Sequence, residues 1–246
     1  MKEIIEAISR GRTDRVVELI GRPDWTQWLD RGEVNLLQWL IYYNDLTGIK
    51  AVLAAGGTLA SIDLNGELGN AAFFGHWKIC DFLIGQGANV NARHQETGET
   101  PLHNAVSKAG RPYYHYTVRL LVERGADVNA TTVAGQATGA FMRDVRTKGE
   151  TPLHRAAAYA DEQTVRFLLQ HGANVRARDA NGNSPLSWAS EHLRPGSILA
   201  LLAFDDFTVS EAYRARNTSD HGQGWGSGMD WNLLGDYLPD GDKGSR

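Results

Sequence analysis

The chain has 246 residues, 42% of them hydrophobic, enough apolar side chain for a substantial core. Its formal net charge of -4 and pI near 6.1 offer phosphate backbones no broad attraction, so no nucleic-acid partner is expected. Cys80 is the single cysteine, which excludes an intrachain disulfide and a cysteine-rich metal site and fits a reducing, cytoplasmic setting.

The first segment, Met1 to Asp14, interrupts its apolar residues with Glu3, Glu6 and Arg10, unlike the apolar core of a secretory signal. Ala7 to Ile20 contains Gly11 and an apolar stripe of Val16, Val17, Leu19 and Ile20, which reads as a degenerate helical unit. Val34 to Tyr43 is the most apolar stretch, about half the roughly 20 residues that span a bilayer. No membrane partner is expected. Asn35-Leu36-Leu37-Gln38-Trp39 opens a second degenerate unit that ends at Gly56.

Better-defined units follow. Leu68-Gly69-Asn70-Ala71-Ala72, then Gly75-His76, lead to Gly87-Ala88-Asn89-Val90-Asn91-Ala92. Thr100-Pro101-Leu102-His103-Asn104-Ala105 leads to Gly125-Ala126-Asp127-Val128, and Thr151-Pro152-Leu153-His154-Arg155-Ala156 leads to Gly172-Ala173-Asn174-Val175. Ser184-Pro185-Leu186-Ser187 begins a sixth unit. The aligned leucines, Leu37, Leu68, Leu102, Leu153 and Leu186, are 31, 34, 51 and 33 residues apart. A recurring interval near 33 marks one supersecondary block repeated along the chain.

The block has a local physical logic. Thr151 suits an N-cap, Pro152 suits the first helical position, where its missing N–H is not needed, and His154 at the third can reach back to the cap. Ala156 and Ala157 permit close approach of a neighbouring unit. Val165, Leu168 and Leu169 make the apolar stripe of a second helix, which Gly172 ends in a left-handed conformation.

On these residues the chain resembles the ankyrin repeat family, from about Ile4 to Asp205. The resemblance implies an all-α repeat solenoid of about six helix-turn-helix units joined by β-hairpin or loop connections. Within residues 1–205 the N-terminal units, 3–63, are degenerate, as units at the end of a stack often are, and 64–205 are better matched. It further implies a protein or peptide partner, met by the two residues after each Ala-Ala pair or its equivalent: Tyr42-Tyr43, Phe73-Phe74, Ser107-Lys108, Ala158-Tyr159 and Glu191-His192. Five of these ten are aromatic, an expected apolar binding groove; the alternative packs Phe73 and Phe74 against helix neighbours.

Two departures from the period add candidates, because insertions in a stacked array loop out on one face. The 51-residue interval exceeds 33 by 18. Part lies near 110–116, between the two helices of the fourth unit, where Tyr113, Tyr114, His115 and Tyr116 form either a contact surface or a cover for helix ends. The rest, 131–148, carries Phe141 and Met142 as anchors, with Arg143 and Arg146 available to carboxylates; alternatively Phe141 tucks into its own loop.

No cofactor or metal site is expected. His103 and His154 occupy the capping position, and no His-Glu-Xaa-Xaa-His pattern occurs. Gly222-Gln223-Gly224-Trp225-Gly226 lacks the strand and helix of a phosphate loop, and Cys80, beside Ile79 and Phe82, reads as a buried inert thiol. A second functional reading is an enzyme or small-molecule binder using Tyr113, Tyr114, His115, Tyr159, Glu191 and His192, with Glu191 and His192 as the acid-base pair. It requires a closed pocket lined by the insertions.

After Asp205 the repeat stops. Thr208-Val209-Ser210-Glu211 is a capping box, so Val209 to about Arg216 is expected to form a capping helix within a C-terminal segment, 206–246. The Gly-rich tail, 217–246, keeps Trp225, Trp231, Leu233, Leu234, Tyr237 and Leu238, and is expected either to occupy the groove as an intramolecular ligand or to lie along the outer helices.

Overall fold

The computed structural model describes residues 2–29, 35–108, 113–138 and 146–204. The chain divides into two units, 1–203 and 204–246. The expected capping helix and the tail 217–246 lie outside the described residues, as do Phe141, Met142 and Arg143.

Twelve α-helices are present among the described residues, arranged as six consecutive pairs. They are α1 (Lys2–Ser9) with α2 (Thr13–Ile20), α3 (Leu36–Tyr42) with α4 (Leu46–Ala54), and α5 (Leu64–Phe74) with α6 (Trp77–Gly85). Then come α7 (Pro101–Ala105) with α8 (Tyr113–Glu123), α9 (Pro152–Tyr159) with α10 (Glu162–Gln170), and α11 (Pro185–Glu191) with α12 (Gly196–Leu202). First helices stack on first helices, α3 on α5, α5 on α7 and α9 on α11, while α6, α8 and α10 stack in a second layer. The aligned leucines are all buried between the layers, with Val118 and Leu121, Val165 and Leu168, and Ile198 and Leu202 facing them from the second helices.

Local caps set the boundaries. Thr100 with His103, Thr151 with His154, Ser184 with Ser187, and Asn35 with Gln38 all form reciprocal capping boxes. The histidines reach further than a cap. Nδ1 of His103 accepts the Thr100 N–H at 3.2 Å while Nε2 donates to the Glu150 carbonyl at 3.2 Å. In the next unit, His154 accepts the Thr151 N–H at 3.1 Å and donates to the Asn183 carbonyl at 3.1 Å. Each ring therefore joins its own cap to the residue preceding the next one. Burial, followed for His103 by the Arg155 charge, holds both imidazoles below their ordinary pKa and keeps them neutral.

Second helices end at Gly56, Gly87, Gly125 and Gly172, all left-handed with φ between 86° and 100°. A Cβ at any of the four would meet nothing within 4 Å, so backbone conformation rather than crowding selects glycine there. The connections are turns, and no strand occurs among the described residues; one isolated antiparallel bridge, Ala137 with Arg146, stands where hairpin ladders were expected. A side-chain ladder joins successive turns instead. Asn91 donates to the Gly125 carbonyl and accepts the Asp127 N–H. Asn129 repeats both bonds with Gly172 and Asn174, at 2.9 and 2.8 Å.

The expected insertion near 110–116 takes a different form. Helix α8 begins at Tyr113, so the aromatic run makes the first turn of a second helix. The 131–148 segment is anchored at its base: Val133 N–H donates to Thr97 O at 2.8 Å and Gly135 N–H to Thr147 O at 2.7 Å. Beneath it lies a buried ionic cluster. The fully buried Arg155 guanidinium binds Glu99 at 2.7 Å and Glu150 at 2.5 Å. The same carboxylates accept hydroxyls from the insertion, Thr138 to Glu99 and Thr132 to Glu150, both at 2.7 Å. Burial alone would raise the Glu150 carboxyl, but the Arg155 charge and the donors from Thr132 and Lys148 outweigh it and hold it below the usual range.

Candidate recognition face

The first helices of the second and third units build a cavity of about 470 Å3. From α3 it takes Gln38, Trp39, Ile41 and Tyr42, with Tyr43 at the helix end; from α5 it takes Glu67, Asn70, Ala71 and Phe74. Small Ala71 and Ala72 are buried at the contact, which lets the helices approach while larger residues of the following turn stand clear.

The aromatic residues form a continuous series. Trp39 stacks on Tyr43 with centroids 5.9 Å apart, and Tyr42 meets Tyr43 and Phe74 edge-on at 4.9 Å each. Phe73 meets Phe74 at 5.2 Å, and the Lys108 ammonium lies 4.1 Å from the Phe73 centroid. His76 fixes one edge by stacking on Phe74 and donating from Nε2 to the Tyr42 carbonyl at 3.1 Å. Tyr42 is 48% exposed, whereas Tyr43, Phe73, Phe74 and Lys108 are half-buried. Thus these candidates come together on one face, and the rings are held by neighbours rather than left to rotate.

The polar end is equally constrained. Gln38 uses Oε1 to accept the Asn35 N–H at 3.1 Å, and its Nε2 donates to Glu67 Oε1 at 2.9 Å. The capping interaction of α3 therefore positions a carboxylate on α5. Glu67 was not singled out from the sequence, nor was Trp39. A signal for Glu67 does exist: aligned on the repeat's leucine, it stands where the stronger units carry Pro101 and Pro152. For Trp39 the signal is its i, i+3 and i, i+4 spacing to Tyr42 and Tyr43.

Other candidates are dispersed. Ser107 is buried, donating to the His103 carbonyl and receiving Arg155. Tyr114 is buried too, its hydroxyl donating to the Phe73 carbonyl at 2.8 Å. His115 is buried against Thr164, 3.3 Å from Nδ1, and packs edge-on against Phe167. Of the two readings, contact surface or cover for helix ends, the buried Tyr114 and His115 fit the cover, because helical periodicity turns them inward while Tyr113 and Tyr116 point out. Tyr116 lies 6.3 Å from Trp77, on the second-helix layer. Arg146 is exposed and donates to the Gly135 carbonyl at the base of its own loop.

At the last units Tyr159 is nearly buried and donates its hydroxyl to His192 Nε2 at 3.0 Å, while His192 Nδ1 donates to the Trp188 carbonyl at 2.9 Å. Both imidazole nitrogens are thereby engaged, and the exposed Glu191 is not a partner of either. The acid-base pairing considered for Glu191 and His192 does not form. Ala158, Tyr159 and Trp188 make a small apolar cluster of their own.

Among the described residues no helix is long and apolar enough to cross a membrane, and no three His, Cys, Asp or Glu side chains converge as a metal site would require. Cys80 is buried, and desolvation raises its thiol pKa far above the ordinary value.

Known proteins place this architecture. Over 106 residues, 42% of the chain, the sequence is 41% identical to human Rabankyrin-5, of which the match covers 8%. Over 122 residues, 50% of the chain, it is 34% identical to the Drosophila melanogaster ankyrin repeat and KH domain-containing protein mask, covering 3% of that protein. It is also similar to the neurogenic locus notch homolog protein 1 of Xenopus tropicalis, 35% identical over 132 residues, 46% of the chain and 5% of the relative. The chain thus spans less than a tenth of each of these relatives. The family description "Ankyrin repeats (3 copies)" matches residues 31–132 and 134–210. With most of its length matched and six helix pairs, four of them opened by a capping box and four closed by a left-handed glycine, the chain belongs to the ankyrin repeat family.

Proposed function

We propose that the chain is a protein- or peptide-binding scaffold whose contact surface centres on Tyr42, Tyr43, Phe73, Phe74 and Lys108, with the 131–148 insertion as a further contact element. Ankyrin repeats typically act as protein-binding scaffolds. The observation that carries the finer reading is the cavity of about 470 Å3 between α3 and α5, lined by rings that remain partly exposed. Rings already fixed by their neighbours lose little rotamer entropy on contact, so a few of them can dominate affinity.

The test begins with selection of peptides from a random displayed library against the full chain. Selected peptides are then titrated calorimetrically into a Tyr42→Ala, Phe74→Ala variant and a Tyr113→Ala, Tyr116→Ala control. The expected result is at least about tenfold weaker binding to the first and a change within about twofold for the second. Peptides that bind the first variant as tightly as the parent chain would remove this face from the proposal.

A further inference from the structure

We infer that the pocket between α3 and α5 receives a cationic side chain, lysine or arginine, of the bound segment; this rests on the recognition face proposed above and names the chemistry of its partner. Glu67 is the carrier. It lines the pocket, is only 7% exposed, and has Oε1 hydrogen-bonded to Gln38. Oε2 has no hydrogen-bond partner among the described residues. A carboxylate only accepts hydrogen bonds, so this pocket-lining oxygen, bonded to no protein donor and open to the cavity, offers an acceptor to a ligand that brings one.

The walls specify more than a donor. Tyr42 stands nearly perpendicular to Trp39, at 81°, and to Tyr43, at 87°, so faces and edges of rings both border the space. Ring faces attract cations, and the apolar stem of lysine or arginine packs well on them. This face already does so within the molecule, since Lys108 lies over Phe73 and, at 5.0 Å, over Phe74. The combination of aromatic walls and one carboxylate selects positive charge on an apolar stem. An anionic segment would meet Glu67 as a like charge, and a purely apolar one would leave Oε2 unpaired.

Gln38 gives the site its rigidity. Its amide is tied to the Asn35 backbone, so it cannot swing to satisfy Oε2 without opening the cap of α3. The net charge of -4 adds a weak long-range attraction of the same sign.

The experiment titrates n-butylguanidinium, n-butylammonium and neutral n-butanol into the full chain, read by NMR at the Trp39 indole N–H and the Gln38 side-chain amide. Expected are saturable shifts with the cations, and at least about tenfold weaker binding of n-butanol. Glu67→Gln should erase that preference, because its amide keeps an acceptor for Gln38 while losing the charge. Tyr42→Leu should weaken cation binding about threefold or more without unfolding, since Tyr42 is half-exposed. The relative affinity of the two cations assigns arginine or lysine. Equal binding of n-butanol, or unchanged cation binding by Glu67→Gln, overturns the inference but leaves an apolar recognition face standing. Failure of every probe to shift these signals also overturns it, whereas failure of the recognition proposal is registered separately, by the displayed peptides.

Discussion

Arg155→Met removes the one guanidinium that compensates two buried carboxylates, and the consequence can be worked from the structure. Glu150 is 1% exposed and Glu99 8% exposed. Glu99 retains hydroxyl donors from Thr97 and Thr138, at 2.9 and 2.7 Å. Glu150 loses bonds from both Nε and Nη2, at 2.8 and 2.5 Å, and with them its main charge partner. The least costly response is for the Glu150 carboxyl to stay protonated in the folded variant. Its ordinary value is 4.5, so folding in that form at pH 7 costs at most about 3.4 kcal/mol, from about 2.5 pH units at about 1.4 kcal/mol each. That agrees with the roughly 3–5 kcal/mol measured when buried pairs are broken. Urea unfolding followed by far-ultraviolet circular dichroism should therefore show Arg155→Met destabilised by about 3 kcal/mol at pH 7. The difference from the parent chain should shrink to about 1 kcal/mol at pH 5. Adding Glu150→Gln should abolish that pH dependence. A penalty equal at both pH values would refute the reasoning, because it would assign the loss to packing rather than to uncompensated charge.

The remaining predictions concern acid and the turn ladder. His103 and His154 are held below their usual 6.5, so the stability they contribute is present above pH 6.5 and is lost as pH falls below it, by up to about 1.4 kcal/mol per pH unit for each ring. The urea midpoint of the parent chain should fall between pH 7 and 5.5; a flat profile would mean the rings can charge in place. Asn129→Ala deletes two bonds between successive turns and should destabilise by about 1–2 kcal/mol. A loss of less than about 0.5 kcal/mol, the size expected of an ordinary surface substitution, would dismiss the ladder.

Local chemistry accounts for how much of the fold was legible in the residues. A cap, a proline at the first helical position, an apolar stripe and a glycine stop act within one turn of helix, so Thr151, Pro152, His154 and Gly172 announce their unit without knowledge of its neighbours. The degenerate second unit obeys this logic too, as Asn35 and Gln38 show by forming a full capping box. The recognition face was half legible. Tyr42, Tyr43, Phe73 and Phe74 meet because they occupy equivalent register in stacked helices, and register repeats with the period. The aromatic run at 113–116 was harder to place, since the same residues serve either a loop or the start of a helix, and only helix α8 turned Tyr114 and His115 inward.

What the sequence by itself determined is the unit and its repetition: six helix pairs, their order, and the leucine, alanine and glycine positions that shape them. Only the tertiary structure decided which polar groups become partners. Glu99, Glu150 and Arg155 form a buried cluster across two units and an insertion, and Gln38 delivers Glu67 to an aromatic pocket 29 residues further along the chain. The physical reason is range. Capping and periodicity are satisfied within a few residues, whereas the pairing of charge and the exposure of a ring depend on which surfaces the stacking of neighbouring units excludes from water.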